Sequence, residues 1–302
     1  MELSWLMKLR IAAAIAIGAA LIGFLAWPLV LPSDPLAPVR AANVSLTGAV
    51  VLAALAVLAG LLAYFASWPY GREIGILAAP SGLAVWAVRS TGMAHLVQLN
   101  PTLAQRQALF AALRWEPVFW LAIAAAGLLG VLLGQRISLE RKATNLAKEP
   151  NGKSNNYVNA IISLVGSALI ALFCIGILAQ DVTMSDQRLR TVLGQPATGQ
   201  IIFAVSVSFG FAAFVVKKFL NASYVWPIAA SAIVTPFVTS TYAKESVLRY
   251  LIQRWPPVFF PNASLSILPV QMVAFGILGS IAGYWLAVRY NYRRKLKSSQ
   301  SS

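Results

Sequence analysis

The chain has 302 residues, of which 59% are hydrophobic and 11% charged, and it carries a formal charge of +15. An ordinary soluble domain is about 45–50% apolar and about 25% charged, so the composition excludes a soluble globular protein and points to an integral membrane protein. The positive charge does not indicate nucleic acid, because the basic residues fall between and beyond long apolar runs rather than on one soluble face.

A helix needs about 20 mostly apolar residues to cross a bilayer. The first such run is 11–31, preceded by Lys8 and Arg10. It exceeds the roughly 7–15-residue apolar core of a signal peptide, so it reads as a retained span. The second span is 46–67. The third, 74–91, is short and interrupted by Pro80-Ser81-Gly82. Residues 94–114 form an outer loop in which Leu109, Phe110 and Leu113 suit a helix lying in the membrane interface. The fourth span, 117–135, opens on Pro117, which fits the first helical position because its missing N–H is not needed there. Residues 136–157 are a basic cytoplasmic linker with Arg136, Arg141, Lys142, Lys148 and Lys153.

The second half repeats the plan, with spans at 158–179, 199–216, 222–242 and 267–288, the third interrupted by Pro227 and Pro236. Val247, Leu248, Leu251, Ile252 and Trp255 fall on one helical face before the last span, again the pattern of an interfacial helix. Residues 289–302 are a basic cytoplasmic tail.

The halves also match in detail. Arg114-Trp115-Glu116-Pro117-Val118-Phe119 returns as Arg254-Trp255-Pro256-Pro257-Val258-Phe259, and Gly18-Ala19-Ala20-Leu21-Ile22 as Gly166-Ser167-Ala168-Leu169-Ile170. Gly127, Gly130 and Gly134 recur with the same spacing as Gly276, Gly279 and Gly283. The same order in both halves, at offsets of roughly 140 to 151 residues, points to duplication. The expected fold is an all-α polytopic membrane protein of eight transmembrane helices, built as two tandem four-helix repeats of parallel orientation, 1–135 and 158–288. Basic residues concentrate in the linker and tail, which places both termini in the cytoplasm and the protein in an inner or plasma membrane.

Catalytic signals are missing. His95 is the single histidine and Cys174 the single cysteine, which leaves no disulfide framework and no thiolate metal site. There is no paired intramembrane carboxylate, nucleophile elbow, Walker A loop or dinucleotide fingerprint. No catalytic residue, metal or cofactor is expected, and the chain is not read as an enzyme. Arg188, Arg190, Asp181 and Asp186 share an outer loop, where mixed charges are ordinarily just solvated.

Interrupted spans in matching positions are the sequence pointer to a transport site. Proline frees backbone carbonyls, and hydroxyls can satisfy them or line a polar path. The substrate-path candidates are Pro80, Ser81, Ser90, Thr91, Pro227, Ser231, Thr235, Pro236, Ser240 and Thr241; the competing reading is a proline kink packed in protein. Arg114, Trp115, Arg254 and Trp255 read as interfacial anchors. The two glycine sets each lie on one helix face and are expected to mediate a close contact between the halves or between protomers. The function expected is a permease or channel-like protein for a neutral or weakly anionic small solute, with its site between spans three and seven. The alternative is a non-catalytic membrane subunit or assembly factor of a larger membrane complex. Expected partners are the lipid bilayer and, at the basic linker and tail, anionic lipid or an acidic protein; oligomer and complex subunit both stay open.

Overall fold

The computed structural model describes residues 4–32, 34, 37–140 and 156–300. The basic linker expected at 136–157 lies mostly outside them, as does the end of the tail. Helix α1 (Trp5–Gly18) opens on Ser4, whose hydroxyl accepts the Met7 N–H at 3.3 Å and so satisfies one of the donors every helix start leaves open. It continues as a π-helical segment, Ala19–Leu25, followed by the short α2 (Trp27–Val30). Ser45 starts α3 (Leu46–Ala66) in the same way, accepting the Gly48 N–H at 3.0 Å. Then come α4 (Gly71–Gly75), α5 (Ala78–Arg89), α6 (Met93–Gln98) and α7 (Leu103–Leu113). Thr102 and Gln105 cap α7 reciprocally. Two long helices follow, α8 (Glu116–Glu140) and α9 (Asn156–Leu178).

The next segment is extended. Strands β1 (Thr183–Asp186) and β2 (Arg190–Gly194) pair antiparallel. Helix α10 (Thr198–Leu220) stops at Asn221, which adopts a left-handed φ of 48°, a conformation asparagine tolerates and most residues do not. Helices α11 (Val225–Tyr242) and α12 (Glu245–Arg254) lead to β3 (Phe259–Phe260), which pairs with β2 in the register Leu193↔Phe260. Helix α13 (Pro269–Gln300) ends the described chain.

Among the described residues, six helical stretches are long and apolar enough to cross a membrane: Trp5–Leu25, Leu46–Ala66, Leu103–Ser138, Tyr157–Leu178, Thr198–Leu220 and Pro269–Arg294. The chain is largely helical, with the make-up of a multi-pass membrane protein. That agrees with the all-α class expected; a short three-stranded sheet β1-β2-β3 is added to it, where Thr191 and Val192 bring β-favouring side chains to a stretch too polar to be a span.

The chain divides into two compact units. The first holds residues 4–32, 39–89 and 119–140. The second holds chiefly 90–118 and 157–300, so the segment with α6 and α7 clusters with the second half. In the first unit, α5 packs along α1 and its π-helical continuation. Gly18 lies against the Ala78 backbone and Gly82 against Ile22, where a Cβ on either glycine would overlap its neighbour. π-Helical pairing would hand the Gly23 carbonyl to residue 28, but Pro28 has no N–H. The buried Trp86 indole donates to that carbonyl instead, at 3.0 Å, and its ring meets Trp120 edge-on with centroids 6.1 Å apart. Such an aromatic pair adds about 0.5–1.5 kcal/mol beyond its area burial. In the second unit α13 is the buried centre, packed on α10 and α11.

The glycine sets make their close contacts inside each unit, which corrects the expected contact between halves or protomers. A Cβ on Gly130 would strike the Val57 carbonyl, and one on Gly279 the Ser206 carbonyl. The reason is local: α3 with Gly60, and α10 with Gly210, offer small-residue faces to the neighbouring glycine helix, and backbones close up wherever two such faces meet.

Candidate functional site

Span three is interrupted at Ile76 and Leu77, between α4 and α5, rather than at Pro80-Ser81-Gly82, and α11 is not broken at either of its prolines. Pro80 and Pro227 are each the third residue of their helix, α5 and α11. In a first turn the N–H has no intrahelical partner, so proline costs little there and fixes the entry φ. Pro236 lies within α11, and the helix runs through it to Tyr242.

The hydroxyls of α11 are mostly spent on their own helix. Ser231 Oγ donates to the Ile228 carbonyl at 2.7 Å, Ser240 Oγ to that of Pro236 at 2.7 Å, and Thr241 Oγ1 to that of Phe237 at 2.9 Å. Thr239 Oγ1 donates to the Thr235 and Pro236 carbonyls. Ser240 and Thr241 are exposed, whereas Ser231 is fully buried, with its Cβ beside Gly276 of α13. Thr235 is buried with no hydrogen-bond partner for Oγ1, and Ser208 on α10 is likewise. Ser81 is buried in α5 beside Pro80, in the first unit, while Ser90 and Thr91 follow α5 in the second. Ser90 Oγ donates to the Thr91 carbonyl at 3.3 Å. Within the second unit the structure therefore gathers Ser231 and Thr235 on one buried face of α11 and sends Ser240 and Thr241 outward.

The segments between the long helices of the second unit form a cap. Helix α7 packs on α11 and α12, which buries Leu109, Phe110 and Leu113 and, on α12, Leu248 and Leu251. These apolar faces are covered by protein, where the sequence suggested helices lying in the membrane interface. Gln195, just after β2, accepts the Ala94 N–H at 3.1 Å and donates to the Ser266 carbonyl at 3.1 Å, tying three chain segments together.

Asp186 is the centre of this cap. Its Oδ1 accepts the N–H groups of Arg188 and Leu189 at 2.8 and 2.7 Å. Its Oδ2 accepts Tyr250 Oη at 2.9 Å and Trp255 Nε1 at 2.8 Å. Burial alone would raise its pKa; the hydrogen bonds from Leu189, Trp255, Tyr250 and Arg188 outweigh burial and lower it to about 2. The same bond, followed by burial and the Asp186 charge, pushes the Tyr250 phenol above its ordinary 10. A solvated loop charge was the expectation at Asp186; instead the carboxylate is 9% exposed and fully engaged. The hairpin explains this: three residues separate the Asp186↔Arg190 pair, and Arg190 closes the turn at φ 65°, so the turn N–H groups point back at the aspartate.

The two copies of the Arg-Trp motif differ. Trp115 is 69% exposed with the Arg114 guanidinium 6.0 Å from its ring centre, while Trp255 commits its indole N–H to Asp186 and Arg254 is exposed. Next to the aspartate lies an open cleft of about 620 Å³ lined by Arg188, Lys244, Glu245, Ser246, Arg249, Tyr250 and Gln253. Sequence reasoning missed this cleft, although Asp186 followed by two N–H groups of a short turn was a readable signal. Among the described residues no group of three His, Cys, Asp or Glu is placed to hold a metal ion. Comparison with protein-family models, curated proteins and solved structures finds no match.

Proposed function

We propose that the chain is a non-catalytic membrane subunit or assembly factor, with its cap as the part that meets other molecules. One observation carries this reading: the α11 hydroxyls return to carbonyls of their own helix, which leaves little of the polar row that a solute path needs. The basic linker and tail would add contacts to anionic lipid or to an acidic partner.

Eight spans are part of the proposal. The pairing of β2 with β3, and the bonds of Gln195 to Ala94 and Ser266, support one shared side for these segments. Helix α10 leaves that side at Thr198, and the chain is back by Phe259. Helix α11, with 18 residues and a length of about 27 Å at 1.5 Å per residue, is the element available for the return. Helices α4 and α5 would supply the matching return in the first half. Duplication is supported by the glycine contacts, since the interval from Gly130 to Gly279 equals that from Val57 to Ser206. Cytoplasmic termini in an inner or plasma membrane follow from the basic linker and tail.

A second reading, a permease for a neutral or weakly anionic solute, draws on Thr235 and Ser208, whose buried hydroxyls lack a partner. Such a group is costly in an apolar surround and would welcome a solute or water. Cysteines at positions 231 and 235, in a Cys174→Ala background, separate the two. A membrane-impermeant thiol reagent should label controls at the exposed positions 187 and 253 and leave 231 and 235 untouched. Labelling at 231 or 235 would hand the case to the permease.

A further inference from the structure

The cleft beside Asp186 carries an excess of positive charge that no ion pair among the described residues neutralises. Arg188, Lys244 and Arg249 line it against a single carboxylate, Glu245, which is already paired with Arg249 at 2.7 Å. Arg188 and Lys244 form no ion pair among the described residues. Asp186, the carboxylate bonded to Tyr250 of the cleft, is saturated: its two oxygens are taken by four donors, none of them the Arg188 guanidinium.

Arg188 is also held in place. Its backbone N–H is bonded to Asp186, and its guanidinium lies 5.2 Å from the centre of the Tyr250 ring, whose hydroxyl is bonded to the same aspartate. The carboxylate thus serves as a fixed post that presents one cation on the wall of the cleft. A guanidinium held on an aromatic face and an ammonium in the same cleft lining suit a multiply charged oxyanion better than a single carboxylate. Position favours the same ligand. Lys244 stands two residues beyond the end of α11 at Tyr242, and Arg188 lies in the hairpin whose second strand runs into α10 four residues later. If α10 and α11 cross the bilayer, the cleft opens at headgroup level. The volume, about 620 Å³, falls within the roughly 300–1,000 Å³ common for ligand sites.

We propose that this cleft binds a phosphate group, presented either by an anionic lipid headgroup at the membrane surface or by a soluble phosphate. It goes beyond the subunit reading; the placement at headgroup level rests on the eight-span arrangement proposed above, and the phosphate site itself does not. Two arms test it on the full-length protein. In detergent, inorganic phosphate is titrated calorimetrically. In nanodiscs, native mass spectrometry compares retention of phosphatidylglycerol with phosphatidylcholine. Binding in the first arm alone names a soluble phosphate, and in the second alone a headgroup. Arg188→Gln and Lys244→Gln should each weaken binding by about tenfold, the scale of one charged hydrogen bond. Glu245→Gln should tighten it several-fold, because it removes the one carboxylate in the cleft lining; this gain cannot come from misfolding. Absence of binding in both arms, or Arg188→Gln and Lys244→Gln binding like the parent, would overturn the assignment.

Discussion

Both units close a glycine-bearing helix against a neighbour, but a second helix contact differs between them. In the first, α1 and α5 are closed up, with Gly18 and Gly82 at backbone contact and Gly23 against Val85. In the second, the sequence counterparts α9 and α11 leave an apolar cleft of about 200 Å³ between Leu164, Val165, Ala168, Leu169, Leu172 and the α11 residues Ile233, Val234 and Phe237. Gly166, the counterpart of Gly18, has nothing near it. The other glycine contact, α8 on α3 and α13 on α10, is tight in both units. A matching glycine therefore does not by itself mark a close contact; what the facing helix brings to it decides. Gly18 faces Ala78; the Gly166 region faces branched and aromatic side chains.

The shared contact gives the largest expected effect. Gly130→Leu and Gly279→Leu should each lower thermal stability in detergent, by the roughly 1–3 kcal/mol or more that overpacking costs, since the new side chain meets a backbone carbonyl that cannot swing away. Unchanged melting for either would mean that its helix pair is not in contact. The differing contact is sharper as a comparison. Gly18→Leu should cost about as much, whereas Gly166→Leu should be neutral or gain up to about 1 kcal/mol from helix propensity. Equal effects at the two positions would erase the distinction between the units.

The smallest effect separates the two Arg-Trp copies. The Asp186 pKa is lowered from the ordinary 3.8 to about 2, so its contribution is complete above about pH 4 and is lost as pH falls through about 2. Trp255 emission should shift over that window, and Asp186→Asn should produce the shift already at neutral pH. Trp115, with no carboxylate on its indole, should not respond in either case; single-tryptophan variants make the reading unambiguous. A Trp255 signal flat to pH 2 would remove Asp186 as its partner.

Much of the helical layout was readable from hydropathy alone. The spans expected at 46–67, 117–135, 158–179 and 199–216 fall on α3, α8, α9 and α10 because long apolar runs in a lipid-facing chain have helix as their one way to satisfy the backbone. The prolines were misread because Pro80 and Pro227 look the same in a string whether they break a helix or begin one; only the position of the first turn distinguishes the two, and that depends on which residues upstream are packed. The cap was read as loop and interfacial helix for a related reason. Leu109, Phe110, Leu248 and Leu251 announce apolar faces, but the pattern cannot say whether lipid or protein covers them.

What the sequence determined by itself is the class: a chain with 59% hydrophobic residues and 11% charged must bury its backbone polar groups in helices, and its glycine spacing marks the faces that can close. Tertiary structure decided which of those faces meet. It also brought Asp186 to Tyr250 and Trp255, more than sixty residues away, and so fixed where Arg188 stands. Contacts at that separation depend on the partner surface as much as on the residue, which no local pattern encodes.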